Sequence, residues 1–144
     1  ESILPELEEK RVNTYLTNNF HWSGTFLTKR HANLLELIFK FNEDRRRKHH
    51  IRVGYQRGCC YFEATIANED RVKEFSRDKL LRCSWLRNRN VDLVGFLVRP
   101  DGCLVGRAFH PAHSMNFEEF IFTAYLLAVE ADRMEYLINE YDEF

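Results

Sequence analysis

The chain has 144 residues, of which 44% are hydrophobic and 14% aromatic, with six glycines and three prolines. This composition excludes a disordered, collagenous or low-complexity chain. Lys and Arg number 21 against 22 Asp and Glu, so the formal net charge of -1 gives no overall attraction to nucleic acid or to a membrane surface. The length predicts a single domain over residues 1–144, with a core large enough to fold without disulfides or a structural metal.

Cysteine usage and the N-terminus bear on the compartment. The four cysteines show no spacing typical of a metal or redox motif, and adjacent Cys59 and Cys60 point to opposite faces of a strand. We therefore expect four reduced thiols and a cytoplasmic protein. No apolar run reaches the ~18 residues of a transmembrane helix. The acidic N-terminus lacks the basic segment followed by an apolar segment that is typical of a signal peptide. Because the chain begins at Glu1 and not at Met, whether it extends upstream stays open.

Hydrophobic periodicity predicts a helix followed by three strands. An apolar stripe over 4–20 favours the helix, and strict alternation over 34–41, 50–57 and 60–66 favours the strands. Short connections between the strands predict an antiparallel meander. The residues predicted to face the core are Leu35, Leu37, Phe39, Phe41, Ile51, Val53, Tyr55, Cys60, Phe62, Ala64 and Ile66.

The middle of the chain predicts a helix and a second group of strands. Asn68 is placed to cap a helical stretch over 69–89 that has a possible break near Ser76. The segment 91–98 is nearly all apolar, which predicts a strand covered on both faces. The Arg-Pro-Asp-Gly sequence at 99–102 predicts a tight turn into a partner strand.

The last segment predicts a long helix. Asn116 followed by Glu119 resembles a capping box, and the helix is predicted over 117–139. Its core stripe comprises Phe117, Phe120, Ile121, Ala124, Ala128, Ala131, Met134 and Ile138. The whole order, α-β-β-β-α-β-β-α, predicts an α+β fold with an antiparallel sheet of about five strands packed against helices.

The C-terminal half resembles a known family. The apolar strand at 92–96, the turn with Asp101 and Gly102, the His110-Pro111 step and the helix segment 131–137 are similar to the YbjN-like family, which is linked by fold to type III secretion chaperones. The resemblance covers 91–138 by motif and the whole chain by order of elements. It implies a type III secretion chaperone-like sandwich, often dimeric, that binds a polypeptide or modulates a regulatory pathway. The family supplies no catalytic residues.

Charge is distributed unevenly along the chain. Residues 10–110 carry 20 Lys and Arg against 10 Asp and Glu, whereas both ends are acidic. These regions either pair within the fold or present faces of opposite sign to a partner.

We predict a non-enzymatic protein-binding module, forming a homodimer or binding another polypeptide, with two candidate surfaces. A bound segment can add a strand to a sheet edge or lay an apolar helix against the sheet. The outward phase of the sheet supplies Ile38, Lys40, Arg52, Tyr61 and Arg107. The apolar excess of the last helix, which is either covered within the fold or open to a partner, supplies Phe122, Tyr125, Val129 and Tyr136.

Two alternative functions remain open. The basic run Arg45, Arg46, Arg47 and Lys48 can bind an anion or nucleic acid by releasing counterions. An enzyme would use a cysteine or the pair His110 and His113, but nothing marks a nucleophile with its base, and a third metal ligand is not evident nearby. We therefore expect no catalytic residues, no metal and no cofactor, and we do not favour nucleic acid as the partner.

Overall fold

The computed structural model describes residues 7–20, 22–31, 34–41, 48–75, 77–90 and 94–142. The elements run in the order α1 (Glu9–Phe20), β1 (Thr25–His31), β2 (Leu34–Lys40), β3 (Lys48–Gln56), β4 (Cys59–Ala67), α2 (Glu69–Glu74), α3 (Arg77–Asn90), β5 (Gly95–Val98), β6 (Leu104–Pro111), a 3-10 helix (Ala112–Ser114) and α4 (Phe117–Asp142). The strands form one antiparallel sheet in the order β1-β2-β3-β4-β6-β5. The predicted α+β order is confirmed, with one further strand and a divided middle helix.

The core lies between α4 and one face of the sheet, which we call the inner face. The predicted inward residues of β2, β3 and β4 are buried there, including Leu37, Ile51 and Phe62. On α4 the alanines of the core stripe are fully buried, and their small side chains allow the helix to approach the strands closely. Burying an aromatic side chain such as Phe62 stabilises the fold by about 1.5–3 kcal/mol.

Two positions at the ends of strands depart from the predicted alternation. Tyr55 shares the inner phase of β3 but is exposed near the end of that strand. In β4 the pairing with β6 shifts between Thr65 and Ala67, so Ala67 is buried while Ile66 is only half-buried. A bulge of this kind adds a residue to one strand, which reverses the alternation beyond it.

Strand β1 was not predicted. It pairs in continuous register with β2, from Thr25 opposite Lys40 to His31 opposite Leu34, and forms one edge of the sheet. Of its seven residues, Phe26 is buried and the others are half-buried or exposed. The segment therefore lacks the apolar alternation that identified the other strands, and the described sheet has six strands where about five were expected.

The expectation that the strand over 91–98 is covered on both faces is wrong. The described strand β5 spans Gly95–Val98, and residues 91–93 lie outside the described residues. Phe96 is buried, whereas Gly95 and Val98 are exposed. The physical reason is the position of β5 at the sheet edge, where it pairs with β6 alone in the described part of the chain.

The predicted helix starts after Asn68 and Asn116 and the tight turn at 99–102 are confirmed. The first helix was predicted over 4–20, but α1 begins at Glu9, with residues 7 and 8 not helical and residues 4–6 outside the described residues. Helix α4 continues to Asp142, beyond its predicted end at 139. Asn68 Oδ1 accepts from the backbone N–H of Arg71 at 2.9 Å, and α2 ends one residue before Phe75, whose backbone is extended. Gly102 has φ +91°, as the turn requires of a glycine. Asn116 Oδ1 caps α4 by accepting from the backbone N–H of Glu119 at 2.8 Å. Among the described residues, no helix is both long and apolar enough to cross a membrane.

Candidate binding face of the sheet

The face of the sheet opposite α4, which we call the outer face, carries a row of alternating charges. Lys29, Glu36, Arg52, Glu63 and Arg107 lie opposite one another on five neighbouring strands, β1, β2, β3, β4 and β6. Opposite charges at directly facing positions stabilise an antiparallel pair. The row therefore follows from the register, and the register follows from the apolar residues that face the core.

Glu63 is the centre of an ion-pair network on this row. It is 7% exposed, and its two carboxylate oxygens accept from Arg99 Nη1 at 2.5 Å and from Arg107 Nε at 2.7 Å. Arg99 Nη2 also donates to Asp101 Oδ2 at 2.7 Å. The hydrogen bond with Asp101 is the main cause that raises the pKa of Arg99, and the same bond lowers the pKa of Asp101. Two arginines are thus fixed in place by one buried acid.

Arg52 faces two acids in register, yet both acids have other partners. Glu63 binds Arg99 and Arg107, while Glu36 is hydrogen-bonded by His50 Nδ1. The hydrogen bond from His50 is the main cause that lowers the pKa of Glu36. Within the described ranges, no ion pair or hydrogen bond of the Arg52 guanidinium is found, and its side chain is exposed. The Arg52 guanidinium is therefore a cation whose N–H donors have no acceptor among the described residues.

A cavity of about 360 Å³ opens beside Arg52. Its volume lies within the ~300–1,000 Å³ of common ligand sites. One wall is aromatic, because the rings of Tyr61 and Phe109 lie 6.5 Å apart at 38°. Gly54 makes room for the Tyr61 ring, since a Cβ at Gly54 would lie 2.6 Å from Tyr61 Cε1. The cavity is lined by Leu34, Arg52, Gln56, Tyr61, Glu63, Arg99, Arg107 and Phe109.

Three of the five predicted outer-face residues line this cavity: Arg52, Tyr61 and Arg107. Lys40 is half-buried at the end of β2, outside the lining. Ile38 is 3% exposed and lies in register between Leu27 and His50, so its side chain is not accessible to a partner.

Two of the four residues predicted on α4, Tyr125 and Val129, are partly covered within the fold. Tyr125 is half-buried in an aromatic cluster, and Val129 packs against the core. Phe122 and Tyr136 are the exposed members of the predicted set, and the Phe122 ring stacks on Phe20. The rings that contact Tyr125 belong to Phe20, Trp22, Phe39 and Phe41.

The residues named for the anion-binding alternative can be located only in part. Arg45, Arg46 and Arg47 lie outside the described residues, and Lys48 is exposed at the start of β3. Its neighbour His49 is buried and contacts Asp132 on α4, with His49 Nε2 at 3.0 Å from Asp132 Oδ1.

The structure brings together only some of the groups named for the enzymatic alternative: Cys60, which is buried, lies opposite His110 in register. His110 Nε2 lies 3.1 Å from Glu119 Oε2, while His113 is exposed on the 3-10 helix. Burial raises the pKa of the Cys60 and Cys83 thiols, which disfavours the reactive thiolate. In the described part of the chain, no group of three or more His, Cys, Asp or Glu side chains is arranged to hold a metal ion.

Sequence reasoning missed five residues of the cavity: Leu34, Gln56, Glu63, Arg99 and Phe109. The alternation that placed Arg52, Tyr61 and Arg107 on the outer phase also applies to Glu63 and Phe109, so that signal was present. Arg99 had no such signal, because it follows β5 and its side chain reaches Glu63 on a strand two positions away in the sheet.

No family model and no curated protein sequence matches the chain. Among solved structures, the crystal structure of the ExsC–ExsE complex is similar, with a TM-score of 0.53 and 14% sequence identity. The similarity covers 90% of this chain and 95% of that chain. At this identity the likeness concerns the fold, and it supports the type III secretion chaperone-like α+β fold predicted from the sequence.

Proposed function

We propose that this chain is a non-enzymatic polypeptide-binding module and that it binds its partner on the outer face of the sheet. The proposal rests on one observation: the exposed Phe109 ring and the exposed Arg52 guanidinium lie at one cavity, beside the ion pairs that Glu63 forms with Arg99 and Arg107. Phe109 is 66% exposed on β6, opposite Tyr61 on β4, and both rings line the same cavity as Arg52. Tyr and Arg, together with other aromatic residues, are enriched where protein partners bind.

The similar solved structure adds support of a different kind. It is a complex of ExsC with ExsE, and one chain in it shares the fold of this chain. A polypeptide partner is therefore the occupant that we propose. The YbjN-like resemblance, the homodimer and the cytoplasmic location stay predictions, as does the basic run as an anion site.

The test compares two exposed aromatic residues on different surfaces. The chain is incubated with a library of immobilised extended peptides, and bound peptides are remeasured in solution by fluorescence anisotropy. We expect Phe109→Glu to weaken binding at least about tenfold, because a charge replaces an exposed apolar contact of the cavity. Tyr136→Glu is the matched control, since Tyr136 is 69% exposed on α4.

Three results contradict the proposal. One is that no peptide in the library binds the wild-type chain. Another is that Tyr136→Glu abolishes binding while Phe109→Glu does not, which assigns recognition to α4 instead. The third is that neither variant weakens binding. Thermal melts by circular dichroism establish that both variants are folded. Sedimentation of the Tyr136→Glu variant beside wild-type tests the predicted homodimer separately.

A further inference from the structure

The cavity on the outer face offers hydrogen-bond donors to an anion. A guanidinium has five N–H donors in a planar fork that fits a carboxylate. Arg107 uses Nε on Glu63, and no acceptor for its two Nη groups is found in the described part of the chain. The lining holds three arginines and one acid, Glu63. Asp101, outside the lining, neutralises a second arginine charge through its ion pair with Arg99, so one positive charge is left uncompensated. Arg52 is the arginine without a described acid partner.

The aromatic residues of the same cavity lie two residues away from the charged residues along β4 and β6. Tyr61 and Phe109 face each other in register, as do Glu63 and Arg107, and both pairs lie on β4 and β6. The two pairs are separated by two residues on each strand, which corresponds to about 6.7 Å. The cavity therefore presents a charged row with a net positive charge and an aromatic pair, at a fixed separation.

An extended peptide has the same spacing between alternate side chains. Residues i and i+2 project to the same side and are also about 6.7 Å apart. We infer that the cavity recognises, in an extended peptide, an acidic side chain and a large apolar or aromatic side chain that are separated by one residue. The acidic group binds Arg52 and the free donors of Arg107, and the apolar group packs on Tyr61 and Phe109. This inference rests on the proposed function and specifies the chemistry of its partner.

The probes are short synthetic peptides with blocked ends, of three designs, the first of which is made in two orders. The first is acetyl-Ser-Glu-Ser-Phe-Ser-amide, measured also with Glu and Phe exchanged so that both orders are covered. The second, acetyl-Ser-Ser-Glu-Phe-Ser-amide, places the same two side chains on adjacent residues. The third, acetyl-Ser-Gln-Ser-Phe-Ser-amide, removes the charge. Binding is measured by NMR titration of the ¹⁵N-labelled chain, including the arginine Nε–H signals.

We expect saturable shifts at Arg52, Tyr61 and Phe109, with the better order of the first peptide binding about tenfold more tightly than the second or third. A factor of ten is the size of one lost charge-assisted hydrogen bond. Arg52→Gln should then bind the Glu and Gln peptides equally. The control Arg82→Gln removes one exposed arginine from α3 and should preserve the preference.

The outcomes separate this inference from the proposed function. If all three peptides bind wild-type equally, if Arg52→Gln keeps the preference for Glu, or if no peptide shifts these residues, the inference is overturned. In each of those cases the peptide library described above still decides whether the chain binds polypeptides. A library without binders refutes the proposed function itself.

Discussion

Replacing Glu63 by Gln tests the ion-pair network that holds the outer face. The substitution keeps the size of the side chain and removes the charge that binds Arg99 and Arg107. Removing one partner of a fully buried pair costs about 3–5 kcal/mol. Here Glu63 is 7% exposed, but the side chains of Arg99 and Arg107 are 21% and 32% exposed and stay partly hydrated. We therefore expect a loss of about 2 kcal/mol, below that range.

The assay for this loss is urea denaturation at pH 7 together with a thermal melt. For a chain of this length, a loss of about 2 kcal/mol corresponds to a decrease of Tm of roughly 6–8 °C. Glu69→Gln is the control, because it removes an exposed acid that pairs with Lys73 four residues along α2. Its effect should stay below about 0.5 kcal/mol. If Glu63→Gln destabilises no more than Glu69→Gln, the argument that Glu63 organises the outer face is wrong.

Two further predictions concern a titrating acid and a glycine. Because the folded state lowers the pKa of Glu36 from 4.5 through the hydrogen bond from His50, its contribution is present above pH 4.5 and is lost as the pH falls through the folded pKa. Glu36→Gln should therefore be less stable than wild-type by about 0.5–1 kcal/mol at pH 6 in chemical denaturation, and the difference should shrink as the pH is lowered below 4.5. A difference that does not change with pH contradicts this. Gly102→Ala should lower the free energy of unfolding by about 1–2 kcal/mol, because φ is +91° and the new Cβ would lie 2.6 Å from Glu69 Cγ. The control Gly95→Ala has open space around the new Cβ and should change the free energy of unfolding by less than about 0.5 kcal/mol.

The elements that sequence reasoning located correctly are those whose own residues carry the signal. Strand β2 alternates clearly, and its side chains at Leu35, Leu37 and Phe39 are buried as predicted. The caps at Asn68 and Asn116 were identifiable because a side-chain oxygen at that position satisfies a free backbone N–H at a helix start. In both cases local chemistry determines local structure.

The features that were missed depend on neighbours distant in the sequence. Strand β1 is held by its pairing with β2, and an edge strand of this polarity carries little periodicity of its own. The exposure of β5 follows from its place at the opposite edge, which no residue of the strand encodes. The contact of Arg99 with Glu63 requires the sheet order, because β6 lies between their strands. Periodicity predicts which face of the sheet a residue occupies, whereas the strand order determines which side chains it contacts on that face.

The choice between α4 and the outer face as the binding surface can be argued from distances. Phe122 and Tyr136, the exposed aromatic residues predicted on α4, are fourteen residues apart, which is about 21 Å along a helix. Arg133 is exposed in the turn before Tyr136, so these two aromatics do not form one apolar patch. Tyr61 and Phe109, by contrast, have ring centroids 6.5 Å apart and line the same cavity. One side chain of a partner can contact both of these rings, and this is the reason that we propose polypeptide binding on the sheet and not on the helix.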